Sequence, residues 1–350
     1  IILHEDFLPH LELIKEEVKS LKFFISLNKV EGNLINYEKL IESSREEEPK
    51  GPEDLNYPIW IIYTSGTTGR PKGATLTHKT QLLGCLSYLS NIYNVHPNDI
   101  ALFAGPLTHG NGLYLLPYIS KGATNVLLTS KSFQPKEVLE TIQKRKVTVI
   151  PYIVPTQLKL LITSEYIDFY DLSSLKTVVY GGSPIHLEDI KALLKRFGNI
   201  FVQIYGQAEM NSLISTLSKE DHVLDEKDKK YKLLKSAGKI NIGVDVKIVN
   251  DKGEEVRVGE VGEIVAKNES LMLGYWNDPE LTKEVVKDGW IYTGDLGYID
   301  EEGYLYIVDR KKDVIKSGGL AVYSKEVEDV ILKHPAVKEV AVIGVPDEIW

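Results

Sequence analysis

Thr64-Ser65-Gly66-Thr67-Thr68-Gly69-Arg70-Pro71-Lys72-Gly73 decides how the rest of this 350-residue sequence is read. Hydroxyls, glycines and cations make up nearly the whole stretch, and Ile59-Trp60-Ile61-Ile62-Tyr63 comes directly before it. An apolar run emptying into such residues predicts a buried strand followed by a polar loop. Glycines let backbone N–H groups converge on an anion without interference from Cβ. The hydroxyls add donors, and Arg70 and Lys72 add charge. That combination suits a polyphosphate. The P-loop pattern does not fit, because counting from Gly66 puts Pro71 where its second glycine belongs, so a P-loop kinase is disfavoured. A solvated linker is the bland reading, and it has no need of a hydrophobic strand feeding it.

Composition sets the frame. The chain is 43% hydrophobic and 26% charged, as in an ordinary globular protein. Its length allows more than one domain. Lys plus Arg number 41 against 50 Asp plus Glu, a net charge of −9. An acidic chain argues against a nucleic-acid partner. It also means that an anion site must be locally basic against the global sign. Cys85 is the only cysteine, so a disulfide within the chain and a cysteine-rich metal site are excluded. No apolar run reaches membrane-spanning length, no signal peptide opens the sequence, and a cytoplasmic setting is expected.

Helical apolar spacing covers residues 6–21 and 79–93, and residues 23–27 read as a strand. Residues 45–58, charged and proline-containing, read as a surface linker. Val147-Thr148-Val149-Ile150 is expected to be a strand stopped by Pro151. Thr177-Val178-Val179-Tyr180 empties into Gly181-Gly182-Ser183-Pro184, a helix follows to Gly198, and the strand 200–205 empties into Gly206. Alternating strands and helices predict an α/β fold: βαβ units around a parallel sheet flanked by helices. Ligands of such sheets sit beyond strand C-termini. Segments 64–73, 181–184 and 206–209 all fall at such ends. From about 236 to 308 short strands and glycine turns predict a small antiparallel β-barrel. Ser324 reads as the N-cap of a helix over 324–334, and residues 340–345 as a strand.

Tyr205-Gly206-Gln207-Ala208-Glu209, Tyr292-Thr293-Gly294-Asp295 and the run from Asp309 through Arg310, Lys312 and Lys316 to Gly318-Gly319 complete a set with the opening loop. Glu209 is read either as a carboxylate at a helix N-terminus or as a hard oxygen ligand for magnesium. Asp295 alone would be a turn residue, and 309–319 alone a solvated charge run. In this order and with these separations they resemble the signatures of the adenylate-forming superfamily, which holds acyl-CoA synthetases, luciferases and peptide-synthetase adenylation domains. The resemblance covers the chain from residue 59 onward.

The resemblance implies ATP or AMP, Mg²⁺ and coenzyme A as cofactors and a carboxylic acid as substrate. Thr64, Ser65, Gly66, Thr67, Thr68, Gly69 and Lys72 would hold phosphates. Tyr205 would lie on the adenine, Gln203 would reach its amino group, and Gly181, Gly182, Ser183 and Gly206 would border it. Asp295 and Arg310 would take the ribose, and Glu209 the metal. Lys312 would be the hinge of a C-terminal lid, and Gly318-Gly319 would admit pantetheine. Thr64, Lys72, Glu209 and Lys316 are the catalytic candidates, Lys316 for the thioester step. Ala208 stands where threonine is commoner in the family, so a hydroxyl contact must come from Thr64 or Thr67.

The segment Pro106-Leu107-Thr108-His109-Gly110-Asn111-Gly112 corresponds to the family's acyl pocket, with His109 as gate and Gly110, Asn111 and Gly182 beside it. Residues 102–118 carry no Asp or Glu, which argues against an amino-acid substrate and for a fatty or aryl acid. Residues 1–311 would be the adenylation domain and 312–350 the start of a small α+β lid. Set against the family, the chain is expected to be truncated at both ends, lacking a late adenylation lysine, so that it binds ATP or AMP but adenylates poorly. Alternatives are an acyl-AMP ligase that loads a carrier protein and a non-catalytic adenine-nucleotide binder. A homodimer is compatible with all three.

Overall fold

The computed structural model describes residues 1–28, 32–64, 71–211, 213–317, 320–334, 336–337, 340–345 and 347. It divides into two units, Ile1–Glu53 and Asp54–Trp350. The boundary lies inside the charged segment read as a linker. In the first unit, strands Ile2–Leu3, Ile25–Ser26 and Ile35–Asn36 form a small parallel sheet. The helix expected over 6–21 is two pieces, a 3-10 turn Glu5–His10 containing Pro9 and an α-helix Leu11–Glu17. Pro9 lacks the N–H of a helical bond and its ring crowds the preceding turn, which interrupts the expected single helix.

The second unit opens with an antiparallel pair, β1 (Pro58–Thr64) and β2 (Lys72–Thr77), in which Thr64 stands opposite Lys72. The segment read as a phosphate loop therefore starts and ends on two strands of one antiparallel hairpin. Residues 65–70 lie outside the described residues. Thr77 then caps the helix α1 (His78–Asn91): its Oγ1 accepts from Thr80 N at 3.2 Å, while Thr80 Oγ1 accepts from Thr77 N at 2.8 Å.

A central sheet follows. Its parallel strands are β3 (Ile100–Phe103), β4 (Thr124–Leu127), β5 (Val149–Ile153), β6 (Thr177–Gly181) and β7 (Phe201–Tyr205), in spatial order β4-β3-β5-β6-β7. Helices Pro135–Arg145, Pro155–Ile162 and Leu187–Phe197 connect them. The antiparallel strands expected after residue 236 are present and continue this same sheet. Strand β7 pairs with β8 (Ser215–Leu217), and β8 with β9 (Gly238–Ile240). The path ends on β10 (Asp245–Val249), reached through β11 (Gly262–Lys267), β12 (Trp290–Ile299) and β13 (Tyr304–Arg310) in the order β9-β13-β12-β11-β10. The fold class is α/β.

Pro151 does not stop its strand. It sits inside β5, where the pairing with β6 shifts register between Ile150 and Ile153. A bulge is where a strand accepts proline, since no ladder N–H is lost there. The bulge also resets the side-chain alternation. Val149 and Tyr152 pack into the core on one face of the sheet, with Val179, Val202 and Ile204. Ile150 and Ile153 pack into the other, with Val178, Tyr180 and Phe201.

At the C-terminal end the helix runs Ser324–Ile331 with Tyr323 as its cap residue, not Ser324. Ser324 is buried instead, and its hydroxyl donates to Asp309 Oδ2 at 2.9 Å. Residues 340–345 are described but form no strand. Among the described residues, no helix is long and apolar enough to cross a membrane.

Candidate active site

The C-terminal end of β7, the middle of β12 and the end of β13 meet around one carboxylate. Asp295, on β12, is only 4% exposed. Its Oδ2 accepts from the Tyr205 hydroxyl at 2.8 Å and from Gln207 Nε2 at 3.2 Å. Its Oδ1 lies 2.7 Å from Arg310 Nε. Burial pushes the Asp295 carboxyl above its usual range, against the lowering pull of Arg310, Tyr205 and Gln207. Burial, followed by the charge of Asp295, likewise pushes the Tyr205 phenol up. Gln207 is further anchored on Thr293 O at 2.6 Å. Nothing in the sequence singles out Gln207 by itself. Its position between Tyr205 and Glu209 is the available signal.

The same short segment leads to a second cluster. Glu209 is buried in the 3-10 turn Ala208–Met210, and Tyr275 donates its hydroxyl to Glu209 Oε1 at 2.7 Å. The Lys72 ammonium stands 5.6 Å from the centroid of that tyrosine ring. Tyr275 belongs to the strand Gly274–Tyr275, which pairs with β2 beside the hairpin loop. Tyr275 thus ties the β1–β2 hairpin to the acidic residue expected to face a metal. Among the described residues, Glu209 Oε2 accepts no hydrogen bond, and no group of three or more His, Cys, Asp or Glu forms a metal cage.

Thr64 and Lys72 begin and end the hairpin; Ser65, Gly66, Thr67, Thr68 and Gly69 lie outside the described residues, as do Gly318 and Gly319. Gly181 is buried at the end of β6, while Gly182 and Ser183 are exposed; Gly206 follows Tyr205 directly. Gln203 on β7 is the register partner of Tyr180 on β6. The Tyr180 hydroxyl donates to Gln203 Oε1 at 2.8 Å, and Gln203 Nε2 donates to Ser236 O at 3.2 Å. The amide expected to read adenine is therefore bonded at both ends within the protein.

Tyr180 is also 3.0 Å from His222 Nε2, and His222 Nδ1 is bonded to Ser218 O at 2.7 Å. Burial lowers the His222 imidazole to about 4, so it is neutral at physiological pH. His109 is exposed at the start of the turn Gly110–Leu113, and Asn111 behind it is 3% exposed with its Oδ1 unpartnered. Lys312 is exposed just beyond Arg310. Lys316 is exposed on the ribbon formed by Ile315–Ser317 and Leu320–Val322, apart from the Asp295 cluster.

The C-terminal helix touches this region twice. Ser324 holds Asp309, the neighbour of Arg310, and Asp329 lies 3.0 Å from His186 Nδ1, four residues beyond Gly182.

The chain as a whole, rather than this cluster alone, is matched by known proteins. The family model of the AMP-binding enzyme covers residues 3–276, and that of the AMP-binding enzyme C-terminal domain covers residues 326–350. The chain belongs to the AMP-binding enzyme family.

Among its relatives is the medium/long-chain-fatty-acid–CoA ligase FadD8 of Mycobacterium tuberculosis. It is 40% identical over 293 residues, covering 83% of this chain and 49% of the relative. A feruloyl-CoA synthase of Amycolatopsis is 38% identical over 312 residues, 89% of this chain and 61% of the relative. The chain thus spans about half to three-fifths of these relatives. Among solved structures, the amide bond synthetase McbA from Marinactinospora thermotolerans superposes with a TM-score of 0.86 at 31% identity, over 99% of this chain and 67% of the other. The o-succinylbenzoate coenzyme A synthetase of Bacillus subtilis, solved with AMP, gives 0.79 at 31% identity, over 97% and 69%.

Proposed function

We propose that the protein carrying this chain is an acid–thiol ligase, which activates a carboxylic acid with ATP and hands the acyl group to coenzyme A. The observation that carries the reading is the Asp295 cluster. A carboxylate with two oxygens, already aligned by Tyr205, Gln207 and Arg310, suits a vicinal diol such as a ribose. The substrate carboxylate attacks the α-phosphorus, the bond to pyrophosphate breaks, and an acyl-adenylate forms. A thiolate then adds to the acyl carbonyl, and AMP leaves with the bonding electron pair. Neither step calls for a nucleophilic side chain. The protein's part is positioning and charge neutralisation.

In this reading Thr64, Lys72 and the donors of residues 65–69 hold the phosphates. Tyr205 and Gly181–Ser183 border the adenine, Asp295 takes the sugar, and Arg310 reaches both sugar and phosphate. His109, Gly110, Asn111 and Gly182 border the acid. Lys312 is the hinge that brings Lys316 and the thiol into play. Magnesium bound through ATP takes one or two carboxylates besides phosphate oxygens. Glu209, with Oε1 held by Tyr275 and Oε2 open, fits that requirement. Bound there, the ion would neutralise phosphate charge.

The single cysteine, free and buried, favours a reducing cytoplasmic setting, and a homodimer completes the proposal. A second acceptor has support from one relative. The fatty acid–[acyl-carrier-protein] ligase ScoC of Streptomyces coeruleorubidus is 34% identical over 313 residues.

Acid-dependent AMP formation, measured over a panel of fatty and aryl acids with coenzyme A or a carrier protein as acceptor, tests the proposal. Turnover with coenzyme A that disappears in Asp295→Ala is the expected result. Absence of any acid-dependent AMP, or full activity in that variant, would overturn it.

A further inference from the structure

Tyr275 sits where two parts of the proposed site are fastened to each other. The segment 272–276 bonds on one side to the turn that bears Glu209 and on the other to β2. Met272 N donates to Glu209 O at 2.7 Å, Leu273 N to Thr75 O at 2.9 Å and Trp276 N to Gly73 O at 2.7 Å. Gly274, at φ +151°, lets the chain pass close to Thr282: a Cβ there would lie 3.1 Å from the Thr282 methyl. Thr282 Oγ1 accepts from Tyr275 N at 2.8 Å, which fixes the backbone of the tyrosine. The side chain then meets two groups of opposite charge. Its hydroxyl donates to Glu209 Oε1 at 2.7 Å, and its ring centroid lies 5.6 Å from the Lys72 ammonium. Burial, followed by the charge of Glu209, pushes the phenol up, so it stays protonated and able to donate. Glu209 Oε2 accepts no hydrogen bond from any described residue and is not sealed from solvent.

We propose that Tyr275 is a positioning residue for nucleotide-bound magnesium, acting through Glu209 and not on the nucleotide itself. This rests on the reading of Glu209 as the metal carboxylate. By occupying Oε1, the phenol leaves one defined oxygen, Oε2, to face the ion. Magnesium demands a near-ideal coordination shell, which a swivelling carboxylate serves poorly. A hydrogen bond that orients a ligating carboxylate is typically worth about 10- to 100-fold in metal affinity. The ring has a separate part. It stands beside the Lys72 ammonium, while the backbone next to it holds the strand that carries Lys72. The groups that meet the metal and the phosphates are thus keyed to one side chain. Packing accounts for the ring, which belongs to the core around Ala74 and Met272, but makes no demand for the hydroxyl.

The test is calorimetric titration of this chain with AMP and with α,β-methylene ATP, the latter both in EDTA and at saturating Mg²⁺. The quantity read is the ratio of the analogue's affinities with and without the ion. Wild type is compared with Tyr275→Phe, Tyr275→Leu and Glu209→Gln. In Tyr275→Phe the ratio falls by about tenfold, while affinity for AMP, and for the analogue in EDTA, is unchanged. Tyr275→Leu lowers the ratio as far. Having lost the ring beside Lys72, it also binds the analogue about threefold more weakly in EDTA, the scale of an exposed cation–π contact. A purely structural role would weaken AMP and the analogue alike in Tyr275→Phe and leave the ratio intact. That outcome, or a ratio lowered in Glu209→Gln but not in Tyr275→Phe, overturns the inference and leaves the metal reading standing. A ratio unchanged in Glu209→Gln overturns the metal reading itself, and the role of Tyr275 with it.

Discussion

Asp295 and Arg310 are register partners on the antiparallel strands β12 and β13, with Arg310 Nε 2.7 Å from Asp295 Oδ1. The pair is lopsided: the aspartate side chain is 5% exposed and the arginine 56%. Solvent screens the arginine's contribution, and burial of the carboxylate wins, so the Asp295 pKa is raised. A raised folded-state pKa on an acid means that its contribution to stability is present below its unfolded value and is lost as pH rises through the folded value. At neutral pH the charge is held at a cost. Asp295→Asn is therefore expected to keep or raise the melting temperature at pH 7 while lowering AMP affinity by at least about tenfold, the scale of one hydrogen bond to a charged group. Thermal unfolding and AMP titration on one preparation check both halves.

On the proposed reading, Lys72 serves the phosphate end of the site and not the sugar end. Lys72→Ala is expected to weaken ATP binding by about tenfold or more, the worth of one charge-assisted hydrogen bond to a phosphate oxygen. AMP binding should stay within about twofold, since AMP lacks the β- and γ-phosphates. Competitive titration of the two nucleotides reads the ratio; equal weakening for both would remove Lys72 from the phosphate role.

Tyr275→Phe removes the donor to Glu209 Oε1 and leaves a buried carboxylate short of one partner. A drop of about 1–3 kcal/mol in unfolding free energy is expected. Urea denaturation gives the number. A change below a few tenths would mean that Glu209 is satisfied without the phenol.

His222 makes the fold acid-sensitive by a calculable route. Its folded value of about 4 lies below the ordinary 6.5. A depressed histidine contributes stability that is present above the unfolded value and lost as pH falls toward the folded one. Within that window each pH unit costs about 1.4 kcal/mol. His222→Gln should flatten the stability profile between pH 6.5 and 4, measured as urea midpoints at closely spaced pH values.

The parallel strands and the antiparallel region were legible in sequence because their apolar runs and glycine turns are local signals. Thr177–Gly181 and Phe201–Tyr205 fall within a residue or so of the expectation. Pro151 misled because proline chemistry excludes regular ladders but not bulges, and the bulge is set by the neighbouring strand. Ser324 misled because a serine before a helix suits capping, whereas the nearby Asp309 captured its hydroxyl. Asp295, Tyr205 and Arg310 were readable as a constellation through the resemblance. Gln207 and Tyr275 were not, since each owes its place to a partner far away in the chain. The orientation of Gln203 was likewise hidden, being fixed by Tyr180 and Ser236.

The helix Ser324–Ile331 is moored at two points, by Ser324 to the strand that bears Arg310 and by Asp329 to the imidazole that follows Gly182. Any swing of the tail must slip both ropes. On the proposed reading, a tug on it reaches both the sugar end of the site, beside Arg310, and the acid end, beyond Gly182. On that reading, tail position and occupancy of the nucleotide seat are coupled through Asp309 and His186.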